Sequence, residues 1–271
     1  MKANKIDKGR PSGLALIVIL ATIAAVAVGA KLGFDQVARV YDEQCVIRDM
    51  SEQVEISSGK MVHPSTIAEE LGLKVGANLA TIDFARRSEE LLAKVPNLRA
   101  IRITRKLPDK VVVVAEERMP IARMGLIGSK SVTGRVVDAD GVVFVCQRGT
   151  QMLPTIREPQ ASGTKKGEKV RGRVLAALRL VEVCREPAFL ELGVLEVDTA
   201  RRDFLVVTLG NYSKAKICWD EMDEPSARTK QDLDARLTKL RDAIRSQVTP
   251  TAVIWNVTMP GEVFADTQGK L

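Results

Sequence analysis

The chain has 271 residues, of which 45% are hydrophobic and 28% are charged. This balance is typical of globular domains, leaves room for two domains of about 100 residues each, and excludes wholesale disorder. The sequence has one histidine, which excludes most histidine-based metal sites and nearly all Ser-His-Asp triads. Part of the formal charge of +7 lies in the first ten residues, so the remaining surface is too weakly basic to favour nucleic-acid binding.

The N-terminal region predicts a membrane anchor. A basic tail, residues 1–12, precedes Gly13–Ala30, eighteen residues without a charge. A helix rises about 1.5 Å per residue, so this run would span about 27 Å, close to a bilayer core. The positive-inside rule then places the tail in the cytoplasm and everything after Lys31 outside it, with residues 31–50 as a stalk. Two alternatives stay open: a signal peptide cleaved after the small residues Val28-Gly29-Ala30, and a buried soluble helix.

Residues 51–120 predict a compact α+β unit. A strand at Val54–Ile56 is followed by a helix that begins near Pro64 and by a second helix capped by Asp83. A hairpin with its turn at Leu107–Lys110 completes the order β-α-α-β-β. This order predicts two helices on one face of a three-stranded sheet.

Residues 121–258 predict a second α+β domain with a mostly antiparallel sheet, and residues 259–271 read as a polar C-terminal tail. Two helices are indicated by apolar residues at helical spacing, and the last strand carries β-branched residues and a tryptophan. The predicted elements are a hairpin around Asp138–Gly141, a helix with its stripe from Val170 to Val181, a helix over Thr229–Arg245 and a last strand at Thr251–Val257.

Three runs of residues, in correct order behind the predicted anchor, carry a resemblance to a known family. They are TIAEELGLKVGANLATIDF (Thr66–Phe84), VPNLRAIRITRKLPDKVVVVAEERMPIARMG (Val95–Gly125) and VVDADGVVFVCQ (Val136–Gln147). Together they resemble the FtsQ/DivIB family of bacterial cell-division proteins, whose chains have a cytoplasmic tail, one membrane span, a POTRA domain and a β domain. Two runs depart from the family pattern: SSGKMVH at residues 57–63 and the C-terminal AVIWNVTMPGEVFAD.

The resemblance implies a non-enzymatic, single-pass scaffold in the inner membrane that links cell-division proteins at the septum by protein–protein contacts. It also implies midcell localisation during division and no cofactor, nucleic acid or small-molecule substrate. The implied partners are other membrane proteins of the divisome, including small bitopic coiled-coil proteins of the FtsB/FtsL type. Two alternatives remain: a POTRA-bearing export or outer-membrane assembly protein, and an anchored extracytoplasmic hydrolase.

Two regions are candidates for binding these partners. The first is the POTRA hairpin, because the resemblance implicates it in recruitment; its candidate residues are Arg102, Arg105, Lys110, Glu117 and Arg118. We expect Ile101 and Ile103 to face the helices, which leaves Arg102 on the wet face, and a purely solvated face is the alternative interpretation.

The second region is the last strand, with candidates Ile254, Trp255 and Val257. If this strand is terminal in its sheet, its free backbone groups could pair with a partner peptide. Trp255 is then either an interface anchor or a core residue beside the Thr229–Arg245 helix.

Other reactive side chains receive structural interpretations. His63 is expected to be a solvated turn residue, because no nucleophile motif accompanies it. Asp138 and Asp140 fit a hairpin turn better than a calcium loop, which needs more oxygen ligands. Glu116 and Glu117 are adjacent on a strand and should point to opposite faces, so they do not form an acid–base pair. The cysteines contain no C-x-x-C pair, and whether any forms a disulfide is left open; they are Cys45, Cys146, Cys184 and Cys218.

Overall fold

The structure of the protein is a computed structural model, and it describes residues 20–22, 24, 26, 28–31, 36, 43–106, 108–129, 132–159, 163–224, 226–246 and 254–266. The predicted tail, ten of the eighteen residues of the predicted span and half of the predicted stalk lie outside these residues. Within the described ranges, no helix combines the length and the apolar character needed to cross a bilayer. The chain divides into two compact units: Met1–Ser57 with Pro64–Arg87 and Arg102–Val114, and Ser58–His63 with Ser88–Ile101 and Ala115–Leu271.

The predicted order β-α-α-β-β is confirmed. The elements are α1 (Met50–Gln53), β1 (Val54–Ser57), α2 (Pro64–Leu71), α3 (Phe84–Lys94), β2 (Leu98–Lys106) and β3 (Lys110–Glu117). Their three-stranded sheet has the order β1-β3-β2, and β1 runs parallel to β3 with Val54 opposite Val111. A parallel pair needs a crossover connection, and the segment with α2 and α3 supplies it.

Alternating burial explains why these segments form half-buried elements. Helix α2 buries Ile67 and Leu71, which lie on one face because they are four residues apart. In β3, Val111 and Val113 are buried whereas Lys110 is exposed. Strand β2 shows the predicted alternation, with half-buried isoleucines and exposed Arg102 between them.

The second sheet has nine strands in the order β12-β11-β10-β9-β8-β7-β4-β5-β6. Five of the eight neighbouring pairs in the described part of the chain are antiparallel and three are parallel, so the mostly antiparallel prediction is confirmed. The strands are β4 (Pro120–Leu126), β5 (Val132–Asp138), β6 (Val143–Val145), β7 (Thr155–Glu158), β8 (Glu196–Asp198), β9 (Leu205–Thr208), β10 (Lys214–Ile217), β11 (Ile254–Val257) and β12 (Phe264–Asp266).

Two helices cover this sheet and build its core. They are α4 (Gly172–Cys184) and α5 (Ala227–Ser246). Helix α5 buries Leu233, Leu237 and Leu240, the stripe that the sequence predicts, and these side chains join one cluster with the sheet residues Val197 and Val207. Burying such side chains contributes roughly 2 kcal/mol each, which makes the stripe the main reason that α5 docks.

Two strands were not predicted. Strand β4 begins at a proline, and its burial does not alternate regularly because register shifts interrupt its pairing with β5. Strand β12 lies within the run predicted as a polar tail, and that prediction is wrong for Phe264–Asp266. Its pairing with β11, rather than any apolar pattern of its own, makes it a strand.

Candidate protein-binding surfaces

The basic residues of the β2–β3 hairpin have different surroundings. Arg102 and Lys110 are exposed to solvent. The guanidinium of Arg105 lies 4.8 Å from the centre of the Phe84 ring and donates a hydrogen bond to the carbonyl of Ile82. Arg105 is therefore held against its own unit although it is exposed, whereas Arg102 and Lys110 are exposed candidates for a partner contact.

Glu117 holds a turn of its own unit. Its carboxylate accepts hydrogen bonds from the backbone N–H groups of Lys60, Met61 and Val62 at 2.7–3.0 Å. These groups lie in the run SSGKMVH, one of the two places where the sequence departs from the family pattern. In the structure this run forms a turn that binds the carboxylate of Glu117. Glu117 therefore stabilises this turn of its own unit.

Arg118 is also engaged inside its unit. Its Nη1 lies 2.6 Å from Oδ2 of Asp138, its Nε donates to the carbonyl of Pro96 at 3.0 Å, and the paired side chains are 15% and 5% exposed. The other oxygen of Asp138 accepts the N–H of Val142 at 2.8 Å, and Gly141 has a φ of 80° that a glycine adopts without strain. The hairpin-turn interpretation of Asp138 is confirmed.

The adjacent carboxylates, which the sequence predicts on opposite faces of the strand, contact different partners. Glu116 pairs with Arg99 at 3.2 Å, whereas Glu117 binds the turn. Among the residues that the structure covers, no group of three or more His, Cys, Asp or Glu could hold a metal ion.

The last predicted strand is not an edge, and this expectation is corrected. Strand β11 has β10 on one side, in parallel, and β12 on the other, antiparallel. Residues 251–253 of the predicted strand lie outside the described residues. Ile254, Trp255 and Val257 are buried, so their side chains belong to the interior of the unit.

Trp255 is a core residue. It is 5% exposed and belongs to the same cluster as Leu237 of α5, which is the second of the two interpretations left open by the sequence. Its indole Nε1 is buried and has no hydrogen-bond partner among the described residues. Its fit to the core thus depends on the packing of its rings.

The outer strand at this end of the sheet is β12. In the described part of the chain no strand pairs with its outer side. Phe264 is 51% exposed, and the turn before the strand exposes Met259, so apolar side chains accompany this edge. We call Met259 and Phe264–Asp266 the β12 edge. The sequence pattern is too short to predict this strand, since it has three residues and lies two residues after a Met-Pro-Gly turn.

The opposite edge of the same sheet is covered. At β6, the N–H of Val143 donates to the carbonyl of Glu168 at 2.9 Å, and the N–H of Gly167 donates to the carbonyl of Val143 at 2.7 Å. The loop that carries these residues occupies backbone groups that a partner strand would need. The β12 edge is therefore the better candidate for strand addition.

The four cysteines are free thiols. Cys45, Cys146 and Cys184 are buried, and burial raises the pKa of Cys184 to about 12. Burial also raises the pKa of Cys218. The thiolate is the reactive form, so the raised pKa values make Cys184 and Cys218 poor nucleophiles.

Parts of this chain are similar in sequence to known proteins. Residues 51–118 match the family model described as a POTRA domain of the FtsQ type. A cell division protein FtsQ of Streptomyces collinus is 30% identical over 116 residues, which cover 41% of this chain and 42% of that protein. A cell division protein FtsQ of Streptomyces bingchenggensis (strain BCW-1) is 24% identical over 206 residues, 74% of each chain.

The chain contains an FtsQ-type POTRA domain and is similar, at modest identity, to two cell division proteins named FtsQ. The FtsQ-type domain coincides with α1–β3, and its last matched residue is Arg118, which pairs with Asp138. The chain matches less than half of the length of the Streptomyces collinus protein, so this match does not assign the activity of that whole protein to this chain.

Proposed function

We propose that this chain is a non-enzymatic scaffold of bacterial cell division, anchored in the inner membrane through Gly13–Ala30, that binds other membrane proteins of the division complex. The FtsQ-type POTRA domain and the two relatives named as cell division proteins support this proposal. The eighteen uncharged residues support the anchor. Confinement to the membrane would raise the effective concentration of membrane-bound partners.

The β12 edge is the observation that carries the mechanism. A partner segment could add as a strand to β12, with main-chain hydrogen bonds supplying affinity and exposed Phe264 supplying apolar contact. We propose that the partner is a small bitopic coiled-coil membrane protein of the FtsB/FtsL type. Arg102 and Lys110, exposed on the POTRA hairpin, are proposed as a second contact for an acidic partner surface.

The experiment is localisation of a fusion with a fluorescent protein on the cytoplasmic side, in cells depleted of the native protein. We expect a midcell band and restored division. A uniform envelope signal with normal division of the depleted cells would contradict the proposal and favour an export or assembly role.

Two variants separate the edge from the rest of the protein. Phe264→Glu places a charge at the β12 edge and should weaken restoration of division. Met152→Glu makes the same change at a residue that is 96% exposed in a loop before β7, and should restore division fully. Equal behaviour of the two variants would contradict the role of the edge.

A further inference from the structure

A strongly basic cavity opens beside the start of α4. Its volume is about 760 Å³. Five cationic side chains line it, against the single acid Glu168; they are Lys169, Arg171, Arg173, Arg201 and Arg202. The carboxylate of Glu168 accepts a hydrogen bond from the N–H of Lys165. Within the described ranges, one of the five cations has an ion pair: Arg173, whose Nε lies 3.8 Å from Oδ1 of Asp223.

One wall of the cavity is fixed by a buried carboxylate. Glu158, whose side chain is 0% exposed, accepts hydrogen bonds from the N–H and the hydroxyl of Thr164 at 3.0 and 3.1 Å. Arg135 lies 3.2 Å from the other oxygen of Glu158 and donates to the carbonyl of Thr164 at 2.6 Å. Thr164 lines the cavity, so this wall is held by a charged network of the unit's interior.

Another part of the lining is held by β7. The hydroxyl of Thr199 donates to the carbonyl of Arg157 at 2.7 Å, and Asp198 accepts the N–H of Ala200 at 2.7 Å. The next two residues are the cations Arg201 and Arg202. The two residues before these cations are therefore held by hydrogen bonds to β7 and to the end of β8, which limits the freedom of the segment that carries Arg201 and Arg202.

The floor of the cavity is the start of α4. The residue at its N-cap is Arg171, which makes no side-chain capping hydrogen bond because a guanidinium has no acceptor. The first N–H groups of a helix attract anions, and here they lie beside the five cations. The N-terminus of α4 therefore adds hydrogen-bond donors and positive potential to a site whose charge comes mainly from the arginines.

The chemistry of the lining selects the kind of anion. Arginine presents planar N–H forks that match phosphate oxygens. The described lining residues include no aromatic side chain, so the cavity lacks the aromatic platform on which nucleic-acid-binding proteins usually stack a base. A single concavity with an excess of four positive charges over Glu168 suits a compact group with several negative charges better than an extended chain.

We propose that this cavity binds a phosphate-bearing anion, such as a pyrophosphate or a phosphodiester group. The proposal rests on the cavity alone and does not depend on the function proposed above.

The test is calorimetric titration of the full-length protein in nonionic detergent with three soluble probes. The probes are inorganic pyrophosphate, glycerophosphoglycerol (the deacylated head group of an anionic phospholipid) and tetraglutamate. The test variant is Arg201→Glu with Arg202→Glu. The control is Arg148→Glu with Arg228→Glu, which changes the net charge equally at exposed positions outside the cavity.

We expect pyrophosphate to bind at one site and to bind about tenfold or more weakly to the test variant, with the control unchanged. If glycerophosphoglycerol also binds, and binds more weakly to the test variant, the ligand is a lipid head group. If pyrophosphate binds and glycerophosphoglycerol does not, the ligand is a phosphate ester or a pyrophosphate from another source. Three results would overturn the proposal: no pyrophosphate binding, equal losses in both variants, or tetraglutamate binding as tight as pyrophosphate. Thermal unfolding of each variant shows whether a loss of binding comes from a loss of fold.

Discussion

Nη1 of Arg118 lies 2.6 Å from Oδ2 of Asp138, and both side chains are largely removed from water. The same arginine donates to the carbonyl of Pro96, and the same carboxylate caps the β5–β6 turn through Val142. The pair therefore fixes the end of β3 relative to this turn within the second unit.

Removal of one partner should destabilise this unit. We expect Arg118→Ala to lower the free energy of unfolding by about 3 kcal/mol, because it leaves the Asp138 carboxylate buried without its counter-charge. Urea denaturation of the purified protein measures this. If the stability is unchanged and only partner binding is lost, Arg118 contacts a partner directly, as the resemblance suggested.

The turn held by Glu117 should resist a side chain at Gly59. A Cβ at Gly59 would overlap with the carboxylate of Glu117, which three backbone N–H groups hold in place. We expect Gly59→Ala to cost about 1–3 kcal/mol of stability. The control is the double variant with Glu117→Ala, in which the added cost of Gly59→Ala should largely disappear. Additive losses would show that the carboxylate is not what Gly59 accommodates.

Substitution of Trp255 should act through the core. We expect Trp255→Ala to cost about 3–5 kcal/mol, as for other large core aromatics. Phe264→Ala, at the exposed edge, should change stability by no more than about 0.5 kcal/mol. Thermal unfolding compares the two. A stable Trp255→Ala protein that has lost only a partner would contradict the core assignment.

The carboxyl group of Asp234 should make the stability of the folded protein depend on pH. Burial raises its pKa, and its buried Oδ1 has no hydrogen-bond partner among the described residues. The folded protein then holds this proton more tightly than the unfolded chain, so the contribution of Asp234 is most favourable below the ordinary pKa of 3.8 and declines as pH rises through the raised value. Asp234→Asn should therefore be the more stable protein at neutral pH, with the difference shrinking in acid. The pH dependence of the unfolding midpoint tests this, and a constant difference would contradict it.

The sequence predicted elements whose own residues carry the pattern. The stripe Leu233, Leu237 and Leu240 identified α5, and the order β-α-α-β-β identified the first sheet. What it missed depends on contacts distant in the chain. The carboxylate of Glu117 binds backbone N–H groups that are 55–57 residues away in the sequence, and no local sequence pattern predicts such a contact. Strand β12 has exposed residues and exists through its pairing with β11, so its role as the edge strand appears only when strand order is known.

The most direct test of the central claim is photo-crosslinking in living cells from the β12 edge. A photoreactive phenylalanine analogue replaces Phe264 in one strain and Met152 in another. We predict that position 264 crosslinks to a small membrane protein of the division complex and that position 152 does not. Crosslinks of equal yield from both positions, or none from position 264 in dividing cells, would contradict the account.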